Sequence, residues 1–302
     1  MSKHPGDLIL CIGAVLWDVI GRSPVQMAAG RDRDIPGRIS HQPGGVALNV
    51  AIALSRHGLH PATLSAVGRD AEGEALCLAA ASHGVRTDYL TRDTGQPTDC
   101  YMAIEDTHGL IAAIADAHSL EMAGDAILSP LLDGRLGDAA QPWTGAVVLD
   151  GNLTTDLLAH IATLPELGQA DLRVVPASPG KADRLMPLIR AGRGCFYLNR
   201  FEAEVLAGGP LPDAARAAEA ITALGAPRVI VTDGAALVAD AQAGRPTLTT
   251  QPPAVTIARV TGAGDAFLAA HLAAETRGAD RAQALDAAAR CAALHVSGKD
   301  PE

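Results

Sequence analysis

The stretch Arg259–Ala273 reads RVTGAGDAFLAAHLA. An apolar helix begins at Ala266, and just ahead of it stand Thr261, Gly262, Ala263, Gly264 and Asp265. Glycines before a helix are often only a turn, and an Asp in the first turn suits the helix dipole. The combination carries more. Gly262 and Gly264 let the backbone bend so that several N–H groups point one way, and the helix adds its positive end. That makes an anion hole. A carboxylate beside a bound anion is repulsive for mere binding. It makes sense if Asp265 takes a proton from a hydroxyl that attacks a phosphoryl group. The stretch is no Walker loop, because no G-x-x-x-x-G-K-[ST] occurs, and it does not follow a first strand as a dinucleotide fingerprint would.

Outward from that loop, the chain alternates. LILCIGAVLWD (8–18) is a nearly continuous apolar run, expected as a strand buried on both faces. Two short strands flank the polar AAGRDRDIPG (28–37). PGGVALNVAIALSRHG (43–58) predicts a buried helix from the glycines to Gly58. DCYMAIED and LIAAIADA, split by Thr107, His108 and Gly109, predict a hairpin. From Gly145 on, strands and helices take turns: GAVVLDG, TTDLLAHIATL, DLRVVPAS, KADRLMPLIRAG, CFYLN, RFEAEVLAGG. Such alternation predicts an α/β fold with a mostly parallel central sheet flanked by helices. The early hairpin pieces break the rhythm and are expected to form a small separate sheet over one edge.

The bulk properties agree. A chain of 302 residues with 48% hydrophobic and 19% charged residues can build a large core. With aromatics at 3%, that core must be mostly Ala, Val, Leu and Ile. A net charge of −10 without a basic stripe disfavours a nucleic-acid polymer as partner. Five unpaired-looking cysteines and no signal-peptide or membrane-spanning run predict a cytoplasmic location away from the membrane. His57 and His60, at a helix end with no further ligand pattern, read as surface residues rather than a metal pair.

VTGAGDAF (260–267) resembles the C-terminal signature of the ribokinase-like (PfkB) sugar and nucleoside kinases, and PGGVALNVAIALSRHG resembles their N-terminal signature. VGRDAEG, LNRFEAE and RVIVTDG match three further blocks of that family in the right order. The resemblance covers essentially the whole chain. It implies one ribokinase-like domain over residues 1–302, with a β-sheet lid inserted at about 19–42 and 98–115. It further implies an ATP-dependent kinase using Mg²⁺, with a small-molecule substrate and a homodimeric assembly.

Matching residue by residue, Asp265 resembles the family's catalytic base, and Gly262, Ala263 and Gly264 its anion hole. Asn199 and Glu202 resemble the N-x-x-E element that organises Mg²⁺ and phosphates through water. Thr232 and Gly234 resemble the loop that touches the nucleotide phosphates, although Ala236 and Leu237 stand where a second glycine is usual. Asp18, Gly44, Gly45 and Asn49 resemble the sugar site. Arg259 replaces an acidic residue associated with a monovalent-cation site, which counts against potassium activation.

Within the family, PTDCYMAIEDTHGLIAAIADAHSLE (97–121), VVLDGNLTTDLLAHI (147–161) and SPGK (178–181) resemble bacterial pseudouridine kinases. That resemblance implies transfer to the 5′-hydroxyl of pseudouridine. Thr98, Asn152 and Lys181 are the candidate base partners, and Asp150, Asn152 or a carbonyl near Thr98 the candidate acceptor for the extra ring N–H. Another sugar or ribonucleoside, such as ribose, fructose, ketodeoxygluconate or adenosine, is the alternative substrate. A catalytically dead sugar sensor is disfavoured by the intact Asp265 loop, and an oxidoreductase by the missing G-x-G-x-x-G after the first strand.

Overall fold

The computed structural model describes residues 8–25 and 34–299. Residues 1–7, 26–33 and 300–302 lie outside the described residues, and with them the end of the first expected small-sheet strand piece and most of the polar loop that follows it.

The first apolar run is two strands, not one. β1 (Leu8–Ile12) enters the main sheet, and β2 (Leu16–Arg22) leaves it for a smaller one. Gly13 is the break. A Cβ there would sit 2.3 Å from the Asp150 carboxyl carbon, so only glycine lets the two segments approach. β3 (Arg38–Gly44) pairs antiparallel with β2 and ends where α1 (Val46–Arg56) begins. β4 (His60–Leu64) and α2 (Ala71–Ser82) follow. The expected hairpin is present as β5 (Cys100–Asp106) and β6 (Gly109–Asp116). Two short helices, α3 (His118–Ala123) and α4 (Ser129–Leu132), lead to β7 (Ala146–Asp150).

From there the expected alternation holds through α5 (Thr155–Thr163) and β8 (Asp171–Val175). The next helix is shorter than KADRLMPLIRAG predicts. Residues 179–185 wind as a 3₁₀ stretch and only Met186–Arg190 (α6) is α-helical, because Pro187 lacks the N–H a continuous helix needs. β9 (Cys195–Asn199), α7 (Arg200–Ala207), α8 (Ala214–Ala223), β10 (Arg228–Thr232), β11 (Val238–Gln242) and β12 (Leu248–Thr250) come next. α9 (Ala263–Thr276) and α10 (Arg281–Val296) complete the described chain.

The main sheet has the order β12-β11-β10-β9-β8-β7-β1-β4, parallel from β4 to β10 and antiparallel at β11 and β12. Its two faces bury separate clusters. α5 to α8 cover Leu10, Ile12, Leu149 and Leu198, while α1, α9 and α10 cover Ile9, Cys11, Val148 and Tyr197. The second sheet, β3-β2-β5-β6, has four strands and stands apart from the main one, as expected. The strand order runs one way from β1 to β4 and the other way from β7, so the switch point lies between β1 and β7. In open α/β sheets the ligand crevice lies at the carboxyl ends of the strands beside such a point. All five cysteines are free thiols, and no described helix is long and apolar enough to cross a membrane.

Candidate active site

Four segments meet at that crevice. α9 opens at Gly262, held in the left-handed region at φ 83°, ψ 0°, which favours glycine. Any Cβ there would also press on the His295 imidazole at 3.1 Å. No side chain caps this helix end, which leaves it open to an anion at Gly262 and Gly264, while the Ala263 N–H donates to the Val260 carbonyl at 3.2 Å; Gly264 is exposed and Asp265 half-buried beside it.

Asn49, on α1, lies close enough to Asp265 to lower its pKa, which brings together the first and last signatures of the chain. Burial pushes the Asp265 carboxyl up to about 7, the negative charges of Asp150 and Asp18 adding to the rise and the nearby Asn49 amide opposing it. Asp18 itself is pushed up to about 6 by burial.

Asp18 lies on β2, opposite Gln42 and Tyr101. A Cβ on Gly44 would fall 2.2 Å from its carboxyl carbon. Gly45, with φ 89°, would drive a Cβ to 2.4 Å from the Ala14 carbonyl oxygen. The glycine pair is therefore shaped first by this chain's own packing against Asp18 and Ala14.

Asn199 and Glu202 form a capping box on α7. The Asn199 Oδ1 accepts from the Glu202 N–H at 3.0 Å, and Glu202 Oε2 accepts from the Asn199 N–H at 2.8 Å. Burial raises Glu202 to about 7, with the Asp265 charge adding. Two acidic groups thus sit within electrostatic reach of each other beside the open end of α9. Mg²⁺ commonly uses one or two carboxylates plus phosphate oxygens and waters, and this donor set fits that need. Among the described residues no group of three or more His, Cys, Asp or Glu side chains could hold a metal unaided, His57 and His60 included. Thr232 ends β10 with its hydroxyl directed at the Leu198 carbonyl at 3.5 Å, and Gly234 follows in an open, left-handed turn.

The candidate base partners divide. Lys181 Nζ donates to Asn152 Oδ1 at 2.7 Å, and Asn152 is 9% exposed, so these two form a preset polar pair. Burial, with the Arg184 charge, lowers the Lys181 pKa. Thr98 is otherwise engaged: its hydroxyl and N–H both donate to Asp70, the N-cap of α2, at 2.5 and 2.8 Å. The carbonyl next to it, on Asp99, accepts from the Trp17 N–H. Asp150 is not a ligand acceptor, contrary to expectation. It is sealed from solvent and its carboxylate already accepts three backbone N–H groups, from Ala14 (2.9 Å), Ala47 (3.0 Å) and Asn152 (2.8 Å). Sequence reading missed this role. The signal that bears on it is Gly13, an isolated glycine inside an apolar strand pattern, which marks a close backbone approach. Arg259 donates to the His295 carbonyl at 3.1 Å and lies 3.2 Å from its ring Nδ1, while His295 Nε2 lies 2.9 Å from the Thr261 carbonyl.

Residues 7–301 match the pfkB family carbohydrate kinase. The pseudouridine kinase of Escherichia coli (strain K12) is 28% identical over 295 residues, covering 96% of this chain and 91% of that protein. A ribokinase from Thermotoga maritima superposes with a TM-score of 0.80 at 18% identity, covering 97% of this chain and 96% of that one. The ribokinase of Arabidopsis thaliana complexed with ribose and ATP superposes with a TM-score of 0.76 at 20% identity, covering 96% and 92%.

Proposed function

The chain belongs to the pfkB family of carbohydrate kinases and is a phosphotransferase acting on an alcohol group; on that footing we propose that it transfers the γ-phosphoryl group of ATP to the 5′-hydroxyl of pseudouridine. The observation that carries the chemistry is the meeting of Asp265 with Asn49 at the uncapped, glycine-bent start of α9. Asp265 removes the hydroxyl proton as the oxygen attacks. The backbone N–H groups at Gly262 and Gly264, joined by that of Ala263 once it leaves the Val260 carbonyl, take the charge that develops on the transferred group. Asp18 accepts from the ribose hydroxyls, held against Gly44. Glu202 and Asn199 would hold Mg²⁺ through water, and Thr232 and Gly234 would approach the nucleotide phosphates. Mg²⁺, when bound with ATP, neutralises charge on those phosphates.

The pseudouridine reading is supported by the 28% identical relative and by the Lys181–Asn152 pair, which offers a uracil-like ring a donor and an acceptor. Pseudouridine is C-linked and presents one more ring N–H than uridine. Asn152 Oδ1 keeps a lone pair beyond the Lys181 bond and is the acceptor we assign to it. A site that leaves this acceptor unsatisfied with uridine loses roughly 1–3 kcal/mol, or about 5- to 150-fold in kcat/KM. A competition assay with both nucleosides and ATP tests this directly. Equal specificity constants, or a preference for adenosine or ribose, would replace the substrate and leave the kinase.

The family's small sheet acts here as a lid over the acceptor. Register places Asp18, Tyr101 and Gln42 in one row on its inner face. Its outer face presents Ile39, Met102, Ile104 and Ile114, all exposed. We assign that face to a second copy of the chain, giving a homodimer in the cytoplasm.

A further inference from the structure

We infer that Asp150 is a positioning residue for the acceptor half of the site, one carboxylate that fixes three separate segments of the substrate pocket against one another. The inference rests on the kinase reading, because it takes the crevice at Asp18 and the glycine pair as the acceptor pocket.

Asp150 ends β7, beside the switch point. Its Oδ2 receives the Ala14 N–H, in the turn that delivers Asp18, and the Ala47 N–H, two residues past Gly45 and two before Asn49. Its Oδ1 receives the Asn152 N–H, whose side chain holds Lys181. The segments carrying Asp18, the glycine pair and the Asn152–Lys181 pair therefore hang from one group. The group is fully buried, and Gly13 is bare to make room for it. All three partners are donors, so the carboxylate serves as acceptor on every side. Ala47 lies in the first turn of α1, where the helix dipole favours negative charge.

An asparagine at this position can accept on one side only. Its oxygen serves Ala14 and Ala47, and its amide then faces the Asn152 N–H, donor against donor. Asp150→Asn therefore releases the base end, whereas Asp150→Ala releases all three segments. Small misplacements of a positioned group cost up to about a hundredfold.

The test is steady-state kinetics on the purified full chain with pseudouridine and ATP. For Asp150→Asn we expect the nucleoside KM to rise about tenfold or more while the ATP KM stays within about twofold, and Asp150→Ala to raise the nucleoside KM further. An unchanged nucleoside KM, or a parallel rise in both KM values, overturns the inference. If the wild-type chain does not phosphorylate pseudouridine, the substrate reading fails, and the same comparison is made with whichever of uridine, adenosine, ribose or fructose turns over. Should a variant not fold, amide exchange on the wild-type chain decides. The Ala14, Ala47 and Asn152 amides should gain protection together when the acceptor binds and not when ATP binds alone. Independent changes, or none, overturn the inference.

Discussion

Asp265 and Glu202 share one electrostatic problem: each carboxyl is raised to about 7 by burial, and the Asp265 charge pushes Glu202 higher. A base that must be ionised to work is then half-protonated near neutrality. We expect kcat/KM to fall on the acid side with an apparent pKa near 7, a value belonging to the coupled pair. A profile flat down to pH about 5 would remove Asp265 as base. The variant Asp265→Asn should lose about 10²–10⁴-fold in kcat while ATP binding persists. Its stability should move the other way. The folded pKa of about 7 lies above the ordinary 3.8, so the stability contribution of this group is present at low pH and lost as pH rises through 7. The amide carries no such loss. Asp265→Asn should therefore melt higher than wild type at pH about 8, with the gain shrinking as pH falls below 7 and vanishing only toward pH about 4; each kcal/mol is worth about 2–4 °C. A variant that melts lower at both pH values would mean the carboxylate is not held at a cost.

At the scale of elements, Gly44 is one tight junction between the small sheet and the main domain. Gly44→Ala puts a methyl 2.2 Å from the Asp18 carboxyl carbon, and Asp18 must move. The expected outcome is a nucleoside KM raised about tenfold or more with the ATP KM little changed, read by initial rates. Much of this architecture is legible in the chain itself. Continuously apolar strands such as CFYLN, and capped helices such as the one after Asn199, carry their signals locally. What is not legible needs partners far away in sequence. The split of Leu8–Arg22 into β1 and β2 is hidden because both sides of Gly13 are apolar; the turn is dictated by Asp150, brought there by the sheet. Thr98 reads as a free hydroxyl near the pocket until α2 places Asp70 against it. Pro187 was visible, yet a pattern of apolar spacing alone overruns it.

For the whole molecule, the outer face of the small sheet is where we expect a second copy of the chain to bind. β6 is an edge strand exposed along nearly its whole length, and it pairs with β5 so that Met102 faces Ile114 and Ile104 faces Ala112. An exposed apolar sheet of this kind marks an association surface. Light scattering should give a dimer, and Ile114→Asp should give a monomer; a wild-type monomer at working concentration would count against the pairing. One feature of the main sheet bears on how the chain is made. β1 is laid down first, yet its neighbour β7 comes from mid-chain, and the helices α9 and α10 that cover one of its faces come last. During synthesis, then, Ile9, Cys11 and Val148 await Phe267, Leu268 and Leu285, which emerge from the ribosome only near the end. Until α9 is made, only α1 and α2 lie over that face, so part of its apolar surface stays open to unwanted contacts while the chain grows.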